Sequence, residues 1–197
     1  MLFRSPPTLR GFRQAAIYPV RPDLGKARAL AAGNARSGRG KFYICDRGPC
    51  LSVAQIVQAN LRAIGIDVDI LRVPGGFSIT HRRGEPFDIS METRTTAYFD
   101  PQDFLMIFDG TTIRPRDNTN FSYFDSSLFN RKLAQASSLV GEPRYRAFGQ
   151  LDVDLARDAA PLGAYMNDNA RRFFSARVRN FFEHPVYGLD LSAIAVQ

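Results

Sequence analysis

At 197 residues, 45% apolar and 12% aromatic, the chain can bury the core of one domain, or of one large lobe of a bigger molecule. That excludes a disordered tail, a collagen-like rod and a disulfide-knotted miniprotein, and the longest unbroken apolar run, Phe104 to Phe108, is far too short to span a bilayer. The net charge of +7 brings anionic partners into question, but the charge is scattered.

Of the 26 basic residues only Lys26, Lys41 and Lys132 are lysines, a bias that GC-rich codon usage produces. Among the arginines, Arg82-Arg83 and Arg171-Arg172 are the only adjacent pairs. A nucleic-acid module concentrates its charge on one stripe and interleaves stacking aromatics. Arg171-Arg172-Phe173-Phe174 is the nearest approach to that pattern, and it reads better as a strand with a solvated start.

Leu2-Phe3-Arg4-Ser5 is what the end of a common sequencing adapter encodes, so residues 1–5 are expected to be a non-native start. The opening segment has no apolar run long enough for a signal peptide. From Pro6 to Pro22 the chain is Pro-punctuated and irregular. Asp23 is placed to cap a short helix through Leu24–Ala32, ended by Gly33-Asn34. After a Gly/Arg loop over 36–40, Lys41–Cys45 reads as a strand. Ser52 with Gln55 three residues on has the spacing of a capping box, and Val53, Ile56, Val57, Leu61 and Ile64 form one helical stripe. Gly65 is expected to stop that helix. Ile66, Val68 and Ile70 alternate with Asp67 and Asp69 as in a half-buried strand.

Together these make a β-α-β unit with a parallel crossover. Phe87–Met91 is expected as a third strand, and helices follow near Ser126–Val140 and Pro143–Ala159. The second of them places Tyr145, Phe148, Leu151 and Leu155 inside and Asp152, Asp154 and Asp158 towards solvent. Leu162–Met166, Arg172–Ser175 and a short segment near the C-terminus are read as the last strands. The class is α/β.

Catalytic patterns are missing: no Gly-x-Ser-x-Gly elbow, no Walker A loop and no Gly-x-Gly-x-x-Gly opening a helix. His81 and His184 are far apart and lack ligand-spaced neighbours, and the Asp152/Asp154/Asp158 ladder lacks the Gly and Glu of a calcium loop. The expectation is no enzyme, no metal and no cofactor. Cys45 and Cys50 bracket four residues between a strand end and a helix start, which fits either a small disulfide loop or two partly buried thiols. In Asp100-Pro101-Gln102-Asp103, Asp100 is placed to cap a helix, Pro101 to fill its first position and Asp103 to follow in the first turn.

Six segments, taken in order, resemble the peptide/nickel-type (family 5) extracellular solute-binding proteins of ABC importers. Tyr18-Pro19 with Pro22-Asp23, Lys26-Ala27 and Leu30 is similar to their "YP-x-x-P-D-x-x-K-A-x-x-L" opening. The step from Gln58 to Val68 resembles "Q-x-x-L-x-x-I-G-I-x-V", and Phe87-Asp88-Ile89 the "F-D" strand. Tyr98-Phe99-Asp100-Pro101 with Phe104-Leu105 resembles "Y-x-D-P-x-x-F-L", the run from Asn120 to Asp125 "N-Y-S-G-Y-S", and that from Asp158 to Leu162 "D-A-P-x-x-P". The ending from Pro185 to Leu191 also looks like one found in this family.

The resemblance implies an α/β periplasmic-binding-protein-like fold of type II. Residues 6–22 would be an irregular inter-lobe segment, 23–170 the C-terminal α/β lobe, and 171–197 strands returning to an N-terminal lobe missing here. It further implies capture of a small solute by closure of two lobes, delivery to an ABC permease in the membrane, and a periplasmic or extracytoplasmic location reached through a signal peptide missing from this fragment. It places Thr95, Thr96, Tyr98 and Phe99 at the cleft, with Arg94 beside them and Asp100 as the structural cap. The family's peptide binders carry an Asp three residues before the "D-P" Asp to hold the peptide's ammonium. That position here is Ala97, which shifts the expected solute from a free-amine peptide towards an oligosaccharide, an opine, a metal chelate or a blocked peptide. The other readings are a binding or regulatory domain that reuses this lobe, and a basic nucleic-acid-binding module.

Overall fold

Asp23 opens the first helix, α1 (Leu24–Ala31), where its carboxylate accepts the Lys26 N–H at 2.9 Å. The computed structural model describes residues 5–35, 37–46, 48–74, 79–168, 171–184 and 186–197. Most of the expected non-native start, Arg36 of the Gly/Arg loop, Arg47 between the cysteines, and Pro185 at the start of the family-like ending lie outside the described residues. The chain forms two compact units. One comprises Ala16–Thr93 and Asp109–Ser126; the other comprises 5–15, Arg94–Phe108 and Ser127–Gln197.

The first unit is organised by β1 (Arg39–Cys45), α2 (Gly48–Arg62) and β2 (Asp67–Val73). β1 and β2 are parallel, in register from Arg39 opposite Asp67 to Cys45 opposite Val73, as the β-α-β pattern predicts. Gly65 ends the helical run at φ +87°, a conformation that costs glycine little, and the Ile66 N–H returns to the Leu61 carbonyl at 3.0 Å. The apolar layer between helix and sheet is Phe42, Ile44, Ala54, Val68 and Met91, with Val53, Val57 and Leu61 packed against it.

Two expectations fail here. Ser52 is not a cap, because α2 begins four residues earlier; Pro49 takes a first-turn position, where a missing N–H costs nothing. Ile56 leaves the stripe and is 64% exposed, since the buried face centres on Ala54 and Leu61, roughly opposite Ile56 on a helix of about 3.6 residues per turn.

β3 (Ile89–Ser90) lies on the other side of β1, also parallel, giving the order β2-β1-β3. It is shorter than the expected strand, although the Met91 N–H still reaches the Tyr43 carbonyl at 2.9 Å. Asp88, the acid of the "F-D" step, explains why β3 starts where it does: its carboxylate accepts the Lys41 N–H at 2.8 Å while its own N–H donates to the Lys41 carbonyl at 3.0 Å.

In the second unit α3 (Pro101–Leu105) runs into a 3-10 turn at Met106–Phe108, and α4 (Ser127–Ser138) and α5 (Gly141–Asp154) follow. Phe104, Leu105, Phe108, Phe129, Leu133, Phe148 and Leu151 are all buried. After α5 the chain widens into a π-type turn over Leu155–Ala159, closed by Ala160 at φ +42°.

The reading of Asp152 and Asp154 as solvent-facing is wrong: they are 4% and 7% exposed. Residues 5–15 cover that side of α5 so closely that a Cβ on Gly149 would fall 2.0 Å from the Gly11 carbonyl oxygen. Asp152 accepts the Ser5 N–H at 3.2 Å, and Asp154 takes Lys132 Nζ at 2.7 Å and Gln150 Nε2 at 2.8 Å. Asp158 does remain exposed, paired with Arg157.

The expected strands at Leu162–Met166 and Arg172–Ser175 do not form. Neither segment has a ladder partner among the described residues, and Phe173 is 91% exposed. Instead β4 (Val178–Arg179) pairs antiparallel with β7 (Ala195–Val196), and β5 (Glu183–His184) with β6 (Gly188–Leu189). Among the described residues no helix is long and apolar enough to cross a membrane.

Of the two readings left open for the cysteines, the structure has the disulfide: Cys45 ends β1, Cys50 sits in the first turn of α2, and their Cα atoms are 5.8 Å apart. Closing so short a loop in the unfolded chain is worth about 2 kcal/mol. Urea denaturation with and without dithiothreitol should show a loss of that size, and the Cys45→Ala/Cys50→Ala chain should match the reduced protein.

Candidate functional site

The stretch from Arg94 to Asp103 is built around one buried acid. Asp103, in the first turn of α3, is 2% exposed and uses both carboxylate oxygens. Oδ1 accepts Arg94 Nη2 at 2.8 Å, and Oδ2 accepts the Ala97 N–H at 2.9 Å. The same guanidinium nitrogen also donates to the Asp103 carbonyl at 3.0 Å. Within this loop the Thr96 hydroxyl donates to the Tyr98 carbonyl. A loop of small and polar residues is thus held in one shape by a carboxylate that follows it in the chain.

Asp100 is the expected cap, with Oδ1 accepting the Gln102 N–H at 2.8 Å and Pro101 in the first turn. Its other oxygen accepts Arg144 Nη1 at 2.6 Å, while Arg144 Nη2 donates to Gln102 Oε1 at 2.8 Å. The Arg144 guanidinium lies 4.7 Å from the Phe148 ring centroid, so α5 braces the cap from a distance in sequence that no local pattern reveals.

Thr95, Tyr98 and Phe99 are exposed, Thr96 half-buried. Tyr98 reaches Met106 Sδ at 3.9 Å through its hydroxyl. Burial, and then the fields of Asp103 and Asp100, push its phenol above the ordinary tyrosine value, so it stays an O–H donor at neutral pH. Arg94 is first of all a brace for the loop, and its Nε is buried without a hydrogen-bond partner. The surface therefore offers hydroxyls and two aromatic faces for hydrogen bonding and stacking. Neither acid is free, since Asp100 and Asp103 are each engaged by an arginine. Among the described residues no three His, Cys, Asp or Glu side chains gather as a metal site would require.

Asp103 and Arg144 were not singled out as site residues from the sequence. For Asp103 the available signal was an acid nine residues after Arg94, which helix-start chemistry already accounted for. Arg144 stands 44 residues from Asp100 and left no signal.

The two acids should differ in weight. Asp100→Ala removes a cap on a partly buried pair and should cost about 1–2 kcal/mol. Asp103→Ala leaves the partly exposed Arg94 without its counter-charge and the Ala97 N–H without its acceptor, and should cost about 2–3 kcal/mol. Urea titrations of both variants, followed by circular dichroism, will show whether that order holds.

Compared with family models and with curated proteins, the chain finds no match in either. Solved structures do match. Clavulanic acid biosynthesis oligopeptide binding protein 2 superposes with a TM-score of 0.82 at 23% identity, over 97% of this chain and 37% of its own. HbpA2 from Haemophilus parasuis gives 0.74 at 17% identity, over 100% of this chain and 40% of its own. DppA from Helicobacter pylori, an ABC transporter-associated periplasmic binding protein in complex with the peptide STSA, gives 0.64 at 24% identity, over 82% and 32%. The chain thus spans 32% to 40% of the length of these three structures. At such identities the likeness is one of fold, and the fold is that of a periplasmic-binding-protein-like type II protein.

Proposed function

We propose that the chain is the C-terminal part of a two-lobe solute-binding protein that captures a small solute outside the cytoplasm and passes it to an ABC permease. The observation that carries this reading is the superposition of nearly the whole chain on oligopeptide binding protein 2, at a TM-score of 0.82. Residues 171–197 then supply strands to the other lobe, which fits a tail whose Phe173, Phe182, Tyr187 and Leu191 stand largely exposed. The Cys45–Cys50 bridge fits an oxidising compartment. The role is binding rather than catalysis: closure of two lobes desolvates the solute, and a few polar groups orient it.

Thr95, Thr96, Tyr98 and Phe99 are the proposed contacts, with Arg94 behind them as the brace that also sets the local charge. The solute class follows from the same residues. Ala97 brings no carboxylate, and the acids nearest in sequence, Asp100 and Asp103, are neutralised by Arg144 and Arg94. An ammonium entering here loses its hydration without gaining an ionic partner. The loop suits a neutral or blocked end of a solute, such as a sugar, an opine, a chelate or an acylated peptide.

Reading the gene upstream of Met1 tests the whole proposal: a second lobe with an export signal is expected, and an unrelated fused domain there overturns it. In the longer protein, calorimetry with a peptide and its N-acetylated form should show no preference for the free amine. Ala97→Asp should then raise affinity for the free amine by roughly ten- to a hundredfold, the worth of one charge-assisted hydrogen bond. A strong preference for the free amine in the parent protein would exclude this solute class while leaving the two-lobe reading intact.

A further inference from the structure

A cavity of about 380 Å³ opens in the second unit, lined by Gly11, Phe12, Arg13, Glu142, Tyr145 and Arg146 and by no residue of the candidate loop. It forms where the segment before α1 crosses α5, and at that crossing the two backbones meet through glycines. A Cβ on Gly11, which sits at φ +84°, would fall 2.5 Å from the Tyr145 carbonyl oxygen, and one on Gly149 would fall 3.0 Å from Arg13 Cγ. So close an approach seats Phe12 and Arg13 beside the first turns of α5, and each segment contributes one wall.

The charges around the cavity do not cancel. Glu142 is spent on Arg10, whose Nη2 lies 2.7 Å from Oε1 and whose guanidinium lies 4.5 Å from the Tyr145 ring centroid. Arg13 donates through Nη1 to the neutral Gln150 amide oxygen. The Arg146 side chain has no hydrogen-bond or ion-pair partner among the described residues. Two guanidinium groups without counter-charges thus share one small cavity with two aromatic residues.

We propose that this cavity is a second binding site, for a small organic anion: a carboxylate or phosphate carried on a flat apolar body. Arg13 and Arg146 supply planar donors that match the oxygens of such a head group, and Phe12 and Tyr145 supply apolar surface for the body. An uncharged ligand gains the rings but leaves both cations unpaired, and a bare anion gains the cations but not the rings. Glu142 would repel an anion if its charge were free, so the Arg10–Glu142 pair is part of the site. The volume lies at the small end of the range for ligand sites, the size of a metabolite. Both guanidiniums are exposed, so salt screens the attraction and each ion pair is worth little by itself. All of these residues lie in one compact unit of this chain, so the site stands or falls independently of the two-lobe reading.

The chain as it stands allows the test. Amide nitrogen–proton spectra titrated with benzoate should show saturable shifts centred on Gly11, Phe12, Tyr145 and Arg146, with a Kd of about 1–10 mM, the affinity that a probe of that size supplies. Benzamide, the same shape without the charge, should bind about tenfold more weakly, since it forgoes both ion pairs. Phenyl phosphate should outbind inorganic phosphate because only the former reaches the rings, and the tighter of benzoate and phenyl phosphate names the head group. Arg146→Gln removes a charge that holds no other group of the fold. Its thermal melt by circular dichroism should match that of the unaltered chain, while benzoate affinity falls by about threefold. Equal affinity for benzoate and benzamide, undiminished benzoate affinity in Arg146→Gln, or shifts that rise linearly without saturating would each overturn the site.

Discussion

An ionised carboxylate taken out of water costs several kcal/mol unless its charge is paired and its lone pairs are met. Asp103 meets both conditions within its own neighbourhood: Arg94 supplies the charge and the Ala97 N–H the remaining hydrogen bond. Because both donors precede it in the chain, satisfying this one group closes residues 94–103 into a hydrogen-bonded ring. The exposed side chains of Thr95, Tyr98 and Phe99 are then carried on a backbone with little freedom left. Preorganisation of that kind lowers the ordering cost of binding, and here it originates in an acid that need never touch a solute.

The two units solve the placement of polar groups differently. In the first, Asp23 and Asp88 each accept a backbone N–H, Asp23 within its own helix and Asp88 from Lys41 on the neighbouring strand, 47 residues back. In the second, Asp100, Asp152 and Asp154 are met by groups remote in sequence: Arg144, the Ser5 N–H and Lys132. Burial holds Asp154 up while Lys132, Gln150 and Arg157 pull it down, and the pull wins, so it remains an anion. The second unit therefore depends on long-range ion pairs that have to find one another during folding.

That contrast explains what was legible in the sequence. The cap at Asp23, the stop at Gly65, the parallel pair β1/β2 and the cap at Asp100 are written within a few residues of where they act, and spacing alone predicted them. Ser52 misled because its capping pattern is local while the true start of α2 is marked by Gly48-Pro49. Asp152 and Asp154 misled because helical spacing gives the face of a residue, not what will cover it. Arg144 carried no local pattern at all; its role arises from packing between distant segments. The resemblance to solute-binding proteins pointed to the fold because Asp23, Asp88, Asp100 and Asn120 are structural fixtures. Asn120 is fully buried, donating to the Asp109 and Phe124 carbonyls and accepting from the Phe124 N–H.

Among the described residues the order β2-β1-β3 leaves β2 as an outer strand, the kind of edge on which another extended chain can add. Its exposed positions include Asp67, Asp69 and Arg72. Any strand docking there would have to bring charges of both signs into register with these three or desolvate them unpaired. The same alternation that gives β2 its buried Val68 thus also works against mispairing. Replacing those charges with apolar residues would leave the core untouched and yet remove the barrier to fibrous self-association.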